Sequence, residues 1–234
     1  MRTIGRVLAA ILAVGFAGAA YAYLTLPDVR VLRSENPPTT AFIELRTREA
    51  RARGEKPRRQ QRWVSYDQIS PNLRRAVLVA EDSAFWQHDG IDFEQLKESI
   101  ETNLERGRIV RGASTITQQL AKNLYLSPSR NPLRKLSELL IARQLEAELS
   151  KRRILEIYLN VVEWGDGIYG ADAAARAYFG EPASALSAEQ AALMAGALIN
   201  PRVHNPAKPT PRLKRRQQII LERMTQGPAG SGGS

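Results

Sequence analysis

Ser70-Pro71-Asn72-Leu73-Arg74-Arg75-Ala76-Val77-Leu78-Val79-Ala80-Glu81 is the stretch on which the fold class turns. Serine is a favoured N-cap because its hydroxyl accepts one of the backbone N–H groups that a helix start leaves unpaired. Proline at the first helical position loses nothing, since its missing N–H is one of those orphans. The pattern predicts a helix from Ser70 through the apolar run 76–80 to about Trp86.

Helical periodicity continues downstream. Asp92 starts a second helix to about Arg106, Gly107 and Gly112 bracket a loop, and Ser114 or Thr115 caps a third helix to about Leu126. Pro128 and Pro132 mark a break. A long helix is expected from Pro132 to about Leu149 and another from Lys151 to Val162. Gly165, Gly167 and Gly170 read as a flexible connection, followed by helices over Ala171–Phe179, Ala188–Leu198 and Pro211–Met224. The expected body is therefore mainly α.

Upstream, residues 28–62 are weakly patterned and read as a juxtamembrane linker, with one strand around Ala41–Leu45 and a basic run from Arg46 to Arg62 suited to acidic headgroups. Before them, the twenty residues from Val7 to Leu26 carry no charge. At 1.5 Å per residue such a run spans a hydrocarbon core of roughly 30 Å, so residues 1–27 read as one transmembrane anchor. Arg2 and Arg6 in front of it place the N-terminus in the cytoplasm and the body outside. Ala20-Tyr21-Ala22 resembles a signal-peptide cleavage site, but the uncharged run continues past it. The tail 227–234, GPAGSGGS, reads as disordered or as an added remnant.

Composition narrows the chemistry. The 234 residues hold 43% hydrophobic side chains, enough for one packed domain besides the anchor. There is no cysteine and there are only two histidines, which excludes disulfides and thiolate metal sites and makes a multi-histidine centre untenable. The net charge of +10 calls for an anionic partner. An exported body leaves the membrane surface or a phosphate-bearing substrate and argues against nucleic acid.

Four clusters can carry chemistry. In Glu81-Asp82-Ser83-Ala84-Phe85-Trp86-Gln87-His88-Asp89-Gly90, Glu81 ends an apolar helical stretch, where partial desolvation would raise its pKa toward that of a useful general base. The same position also suits an ordinary helix-end glutamate. Gly112-Ala113-Ser114-Thr115-Ile116-Thr117-Gln118-Gln119-Leu120-Ala121-Lys122 offers a helix start whose N–H groups suit phosphate, with Gln118 and Lys122 four apart on one face. A plain capped amphipathic helix would look similar, except that consecutive glutamines are unusual in a purely structural segment. Arg130, Arg134, Lys135 and Glu138 make either an i,i+4 salt bridge or a carboxylate held among cations facing a diphosphate. Lys151 to Asn160 places Ile154, Leu155, Tyr158 and Leu159 on one apolar face, a core scaffold in which Glu156 and Asn160 fix neighbours.

Together and in this order, the clusters resemble the family 51 glycosyltransferases, the peptidoglycan glycosyltransferases. EDSAFWQHDG, GASTITQQLAKNLYL, RKLSE and KRRILEIYLN are similar to that family's four motifs, and the resemblance runs from about Trp63 to Met224. It implies a catalytic domain over 63–226 with a lysozyme-like helical lobe and a small jaw lobe. It implies polymerisation of lipid II into β-1,4-linked glycan strands, by inversion, with release of undecaprenyl diphosphate. Glu81 matches the catalytic base and Glu138 the second carboxylate. Ser114, Thr115, Gln118, Lys122, Arg130, Arg134 and Lys135 would bind substrate and its diphosphate.

No cofactor is required by this reading, although Mg²⁺ could bridge Glu138 or Asp82 to the diphosphate. The expected partners are lipid II, the growing lipid-linked glycan, the cytoplasmic membrane and other wall-synthesis proteins. No Ser-x-x-Lys transpeptidase motif follows, so a monofunctional enzyme is expected. Two other readings suit part of the pattern. A glycan-cleaving hydrolase would also use two carboxylates but has no need of the cationic second and third motifs. A membrane-tethered binding module would leave Glu81 and Glu138 unexplained.

Overall fold

The structure, a computed structural model, describes residues 26–107, 112–126 and 132–226, with backbone alone at 132 and 133, and upstream only positions 5, 6, 13, 15, 16, 18 and 24. Nearly all of the expected anchor, the tail 227–234 and Arg130 lie outside the described residues. Among those described, no helix is long and apolar enough to cross a membrane.

The body is mainly helical, as expected. Its helices are α1 (Ala41–Ala52), α2 (Pro71–Glu81), α3 (Phe93–Glu105), α4 (Ile116–Tyr125), α5 (Pro132–Glu148), α6 (Lys151–Val161), α7 (Ala171–Phe179), α8 (Ala188–Ala197) and α9 (Pro211–Thr225). A small sheet of β1 (Gln60–Gln61), β2 (Glu163–Gly165) and β3 (Ile168–Tyr169) has the order β1-β3-β2. Helix α4 packs on α1, α5 and α6, while α2 packs on α8 and α9.

Local chemistry explains most boundaries. The Ser70 hydroxyl accepts from Asn72 N at 3.2 Å, and α2 buries Leu73, Ala76 and Val77 completely. Full burial of one such leucine stabilises the fold by about 1.5–3 kcal/mol. The helix stops at Glu81, five residues before the expected Trp86. Asp82 leaves helical geometry with φ −164° and ψ 78° because its buried carboxylate is held by two other groups: it accepts from Ile116 N and from His88 Nε2, each at 2.9 Å.

The segment 28–62 departs from the linker reading. Val29 and Leu32 are buried in the main core. The expected strand at Ala41–Leu45 is instead the start of α1. Thr40 Oγ1 caps it by accepting from Ile43 N at 3.1 Å, and Ile43 and Ala50, two turns apart, point inward. A short apolar run does not by itself separate strand from helix, and here the cap and the seven-residue spacing decide.

The Gly165–Gly170 connection is not loose. Gly167 and Gly170 hold φ +73° and +83°, which side-chain-bearing residues rarely adopt. A Cβ on Gly170 would lie 2.8 Å from the Asn160 carbonyl oxygen, so backbone packs directly on backbone. Helix α6 does what its pattern predicts: Ile154, Leu155, Tyr158 and Leu159 are fully buried. Glu156 Oε2 accepts from Tyr66 N at 2.9 Å. The Asn160 side chain accepts from Val64 N and donates to Val64 O, both at 2.9 Å, as a strand partner would.

Candidate active site

Glu81 sits at the end of α2 with its side chain only 16% exposed. Burial pushes its pKa above the usual carboxylate value, as the sequence reading anticipates. Opposing this, Gln119 donates a hydrogen bond, and Arg216 and Lys122 add positive charge. Gln119 Nε2 donates to Oε2 of Glu81 at 3.0 Å, and Arg216 stands 3.7 Å from Oε1. The hydroxyl of Tyr158 donates to Oε1 of Gln119 at 2.9 Å. Helices α4, α6 and α9 thus converge on the carboxylate that α2 presents.

The loop after α2 is pinned by the start of α4. Gly90 N donates to His88 Nδ1 at 3.1 Å, so Nδ1 is the acceptor and the ring proton resides on Nε2, facing Asp82. Gly90 O accepts from Thr115 Oγ1 at 2.7 Å and from Gln118 Nε2 at 3.2 Å. Lys151 donates to His88 O, pairs with Glu146 at 2.8 Å and stands 4.5 Å over the Phe85 ring; Glu146 also accepts from Thr117 Oγ1.

This geometry corrects three expectations. Two N–H groups at the start of α4 are not open to phosphate: Ile116 N is taken by Asp82 and Gln118 N by the Thr115 hydroxyl. Asp82 is itself the anion at that helix N-terminus. Thr115 is fully buried as the cap of α4. Gln118, 3% exposed, has its amide nitrogen on Gly90 O and its oxygen accepting from Lys135 Nζ at 3.0 Å, so both ends of its amide are engaged within the protein. Its neighbour Gln119 reaches Glu81 instead.

Ser114 is exposed beside the α4 start. Lys122 is half-buried, makes no hydrogen bond or ion pair among the described residues, and acts on Glu81 through its charge. Glu138 is buried, pairing through Oε2 with Arg134 at 2.9 Å and through Oε1 with Lys135. The adjacent glutamines of α4 therefore connect the two carboxylates: Gln119 holds Glu81, and Gln118 shares Lys135 with Glu138.

The carboxylates suggested for Mg²⁺ do not fit it. Each Glu138 oxygen already faces a cation, and both Asp82 oxygens accept hydrogen bonds. Among the described residues, Asp82, His88 and Asp92 bring their donor atoms within 4.8 Å of one another. His88 Nε2 is committed to Asp82, however, and Asp92 Oδ1 caps α3 by accepting from Gln95 N at 2.8 Å. A cavity of about 620 Å³ lies elsewhere, where Arg46, Glu49, Glu163, Asp166 and Arg202 largely pair with one another.

Sequence reasoning missed Arg216, which nothing in the pattern of α9 marks, and treated Tyr158 as scaffold alone. For Gln119 the doubled glutamine was the available signal.

A family model described as Transglycosylase matches residues 48–225. The chain belongs to that family. Curated relatives, each named biosynthetic peptidoglycan transglycosylase, include that of Laribacter hongkongensis, 50% identical over 189 residues, 81% of this chain and 83% of its own. The protein of Nitrosospira multiformis is 48% identical over 189 residues, 81% and 82% of the two chains. That of Chromobacterium violaceum is 45% identical over 225 residues and spans 95% of this chain and 96% of its own.

Proposed function

We propose that this chain is a peptidoglycan glycosyltransferase that polymerises lipid II into glycan strands for the bacterial cell wall. Family membership and the names of the relatives support the reaction class. The observation that carries the mechanism is the largely buried Glu81 carboxylate, raised in pKa yet held by Gln119 and faced by Arg216 and Lys122.

Glu81 acts as general base. It takes the proton of the acceptor 4-hydroxyl as that oxygen forms a bond to C1 of the lipid-linked donor sugar. The C1–O bond to the diphosphate breaks with its electron pair, and undecaprenyl diphosphate leaves from the opposite face, converting an α-linked donor into a β-1,4 product. Lys122 and the cations around Glu138, Arg134 and Lys135, together with Arg130 and Ser114, stabilise the charge developing on the diphosphate. Glu138 orients Arg134 and Lys135 for that task.

The domain over 63–226 would divide into a lysozyme-like lobe and a jaw lobe. The uncharged segment 7–26 is proposed to hold the enzyme in the cytoplasmic membrane by a single span, with the body outside beside lipid II, the growing strand and other wall-synthesis proteins. An exposed apolar face on α3, with Phe93 69%, Ile100 52% and Leu104 76% accessible, supports membrane contact by the body itself.

The test is polymerisation of purified lipid II by detergent-solubilised enzyme beside Glu81→Gln. Wild type should form lysozyme-digestible glycan and release undecaprenyl diphosphate, and the variant should be slower by roughly 10²–10⁴-fold. Degradation of preformed glycan by wild type without consumption of lipid II would replace the transferase with a hydrolase.

A further inference from the structure

A primary amide can turn either end to a carboxylate, and the two ends have opposite consequences. An N–H aimed at Glu81 favours the ionised base, while a C=O aimed at it favours the protonated acid. The hydroxyl of Tyr158 donates to Oε1 of Gln119 at 2.9 Å, while Nε2 of the same amide donates to Glu81 at 3.0 Å. Tyr158 is fully buried and its hydroxyl makes this one hydrogen bond among the described residues. Were the amide reversed, its NH₂ would meet the hydroxyl and the phenolic proton would have no acceptor in a dry core, a costly arrangement. Burial and the nearby charges of Glu81 and Asp82 hold the phenol well above its usual pKa, so it stays a donor.

We propose that Tyr158 is a positioning residue for the reaction: its hydroxyl locks the Gln119 amide in the orientation that presents N–H, rather than C=O, to Glu81. This rests on the reading of Glu81 as the general base. The lock has a second effect during turnover. Once Glu81 has accepted the acceptor's proton, it still faces an N–H donor, and the neutral acid gains less from that bond than the carboxylate does. The pair therefore favours release of the proton and return of the base to its reactive form. The other groups around Glu81 cannot take this part. Arg216 from α9 and Lys122 from α4 act through charge alone, and Asp82, next in the chain, opposes ionisation.

The experiment is a pH–rate profile of lipid II polymerisation for wild type, Tyr158→Phe, Gln119→Leu and the double variant, all as the full chain, with thermal melting as the control for folding. Phenylalanine keeps the buried ring. Tyr158→Phe should lose roughly three- to tenfold on the acid limb and recover to within about twofold on the alkaline plateau. Gln119→Leu should move the acid limb in the same direction, which keeps the proposal testable if Tyr158→Phe folds poorly. The double variant should shift no further than Gln119→Leu alone, because Tyr158 acts only through that amide. A loss equal at every pH, an unshifted Gln119→Leu, or an additional shift in the double variant would each overturn the proposal. Glu81→Gln separates the two levels: if it still polymerises lipid II, the general-base reading has failed, whereas an inactive Glu81→Gln beside unshifted profiles removes Tyr158 alone.

Discussion

The guanidinium of Arg216 stands 3.7 Å from Oε1 of Glu81, so α9, near the end of the chain, places a cation on a carboxylate presented by α2, the first α-helix after the sheet strand β1. Arg216 favours the ionised glutamate, in opposition to burial. Removing it should raise the Glu81 pKa further. In Arg216→Ala the acid limb of the pH–rate profile is expected to move to higher pH, and Arg216→Lys should restore part of the shift. The Arg216 side chain is 33% exposed, so added salt should produce a weaker version of the same shift in wild type.

Glu81 should also cost the protein stability. Its folded pKa is raised above the ordinary 4.5, so its contribution to stability is complete below that value and is lost as pH rises through the folded pKa. Glu81→Gln should therefore melt higher than wild type at pH 7–8, by roughly 1–4 °C, with the difference vanishing toward pH 4. Equal melting at both pH values would show that the carboxylate is not desolvated in solution.

Glu138 is buried between two cations of unequal exposure, Arg134 at 21% and Lys135 at 45%. Breaking a fully buried pair costs about 3–5 kcal/mol, but these cations can turn partly to solvent. Glu138→Gln should lose about 1–2 kcal/mol in urea denaturation, with an unchanged m-value. Polymerisation should fall by more than that instability explains, because Arg134 and Lys135 lose the carboxylate that orients them.

Two glycines of positive φ should respond differently to alanine. At Gly170 a Cβ would meet the Asn160 carbonyl at 2.8 Å, and at Gly54, φ +73°, it would meet nothing within 4 Å. Gly54→Ala should cost about 1 kcal/mol from backbone conformation alone. Gly170→Ala should cost about 2–4 kcal/mol and shift α6 against α7. Chemical denaturation of the two variants measures the contrast.

The helices were legible where cap and period agreed. Ser70 with Pro71, Asp92, Thr115 and Ser150 each begin a helix where their side chains accept a first-turn N–H. What the sequence hid was long-range. Asp82 ends α2 because of a backbone N–H that lies thirty-four residues on. Arg216 meets Glu81 from the far end of the chain, and no local pattern on α9 distinguishes it from the neighbouring Arg215. Gln118 and Gln119 were legible as a pair, but which of them reaches the base depends on how α4 rotates against α2 and α5. The strand expected near Ala41 failed because apolar runs of that length carry no period long enough to decide.

Val29 and Leu32 lie in the main core, and Arg153 holds that segment by donating to Leu32 O at 2.9 Å and Glu35 O at 2.8 Å. The family match begins only at residue 48. The catalytic body is thus not portable as the stretch that the family model matches. A version trimmed to that start would uncover apolar core and lose more than half of α1, and any fusion or shortened form has to keep the chain from about Leu26 onward to remain one folded unit.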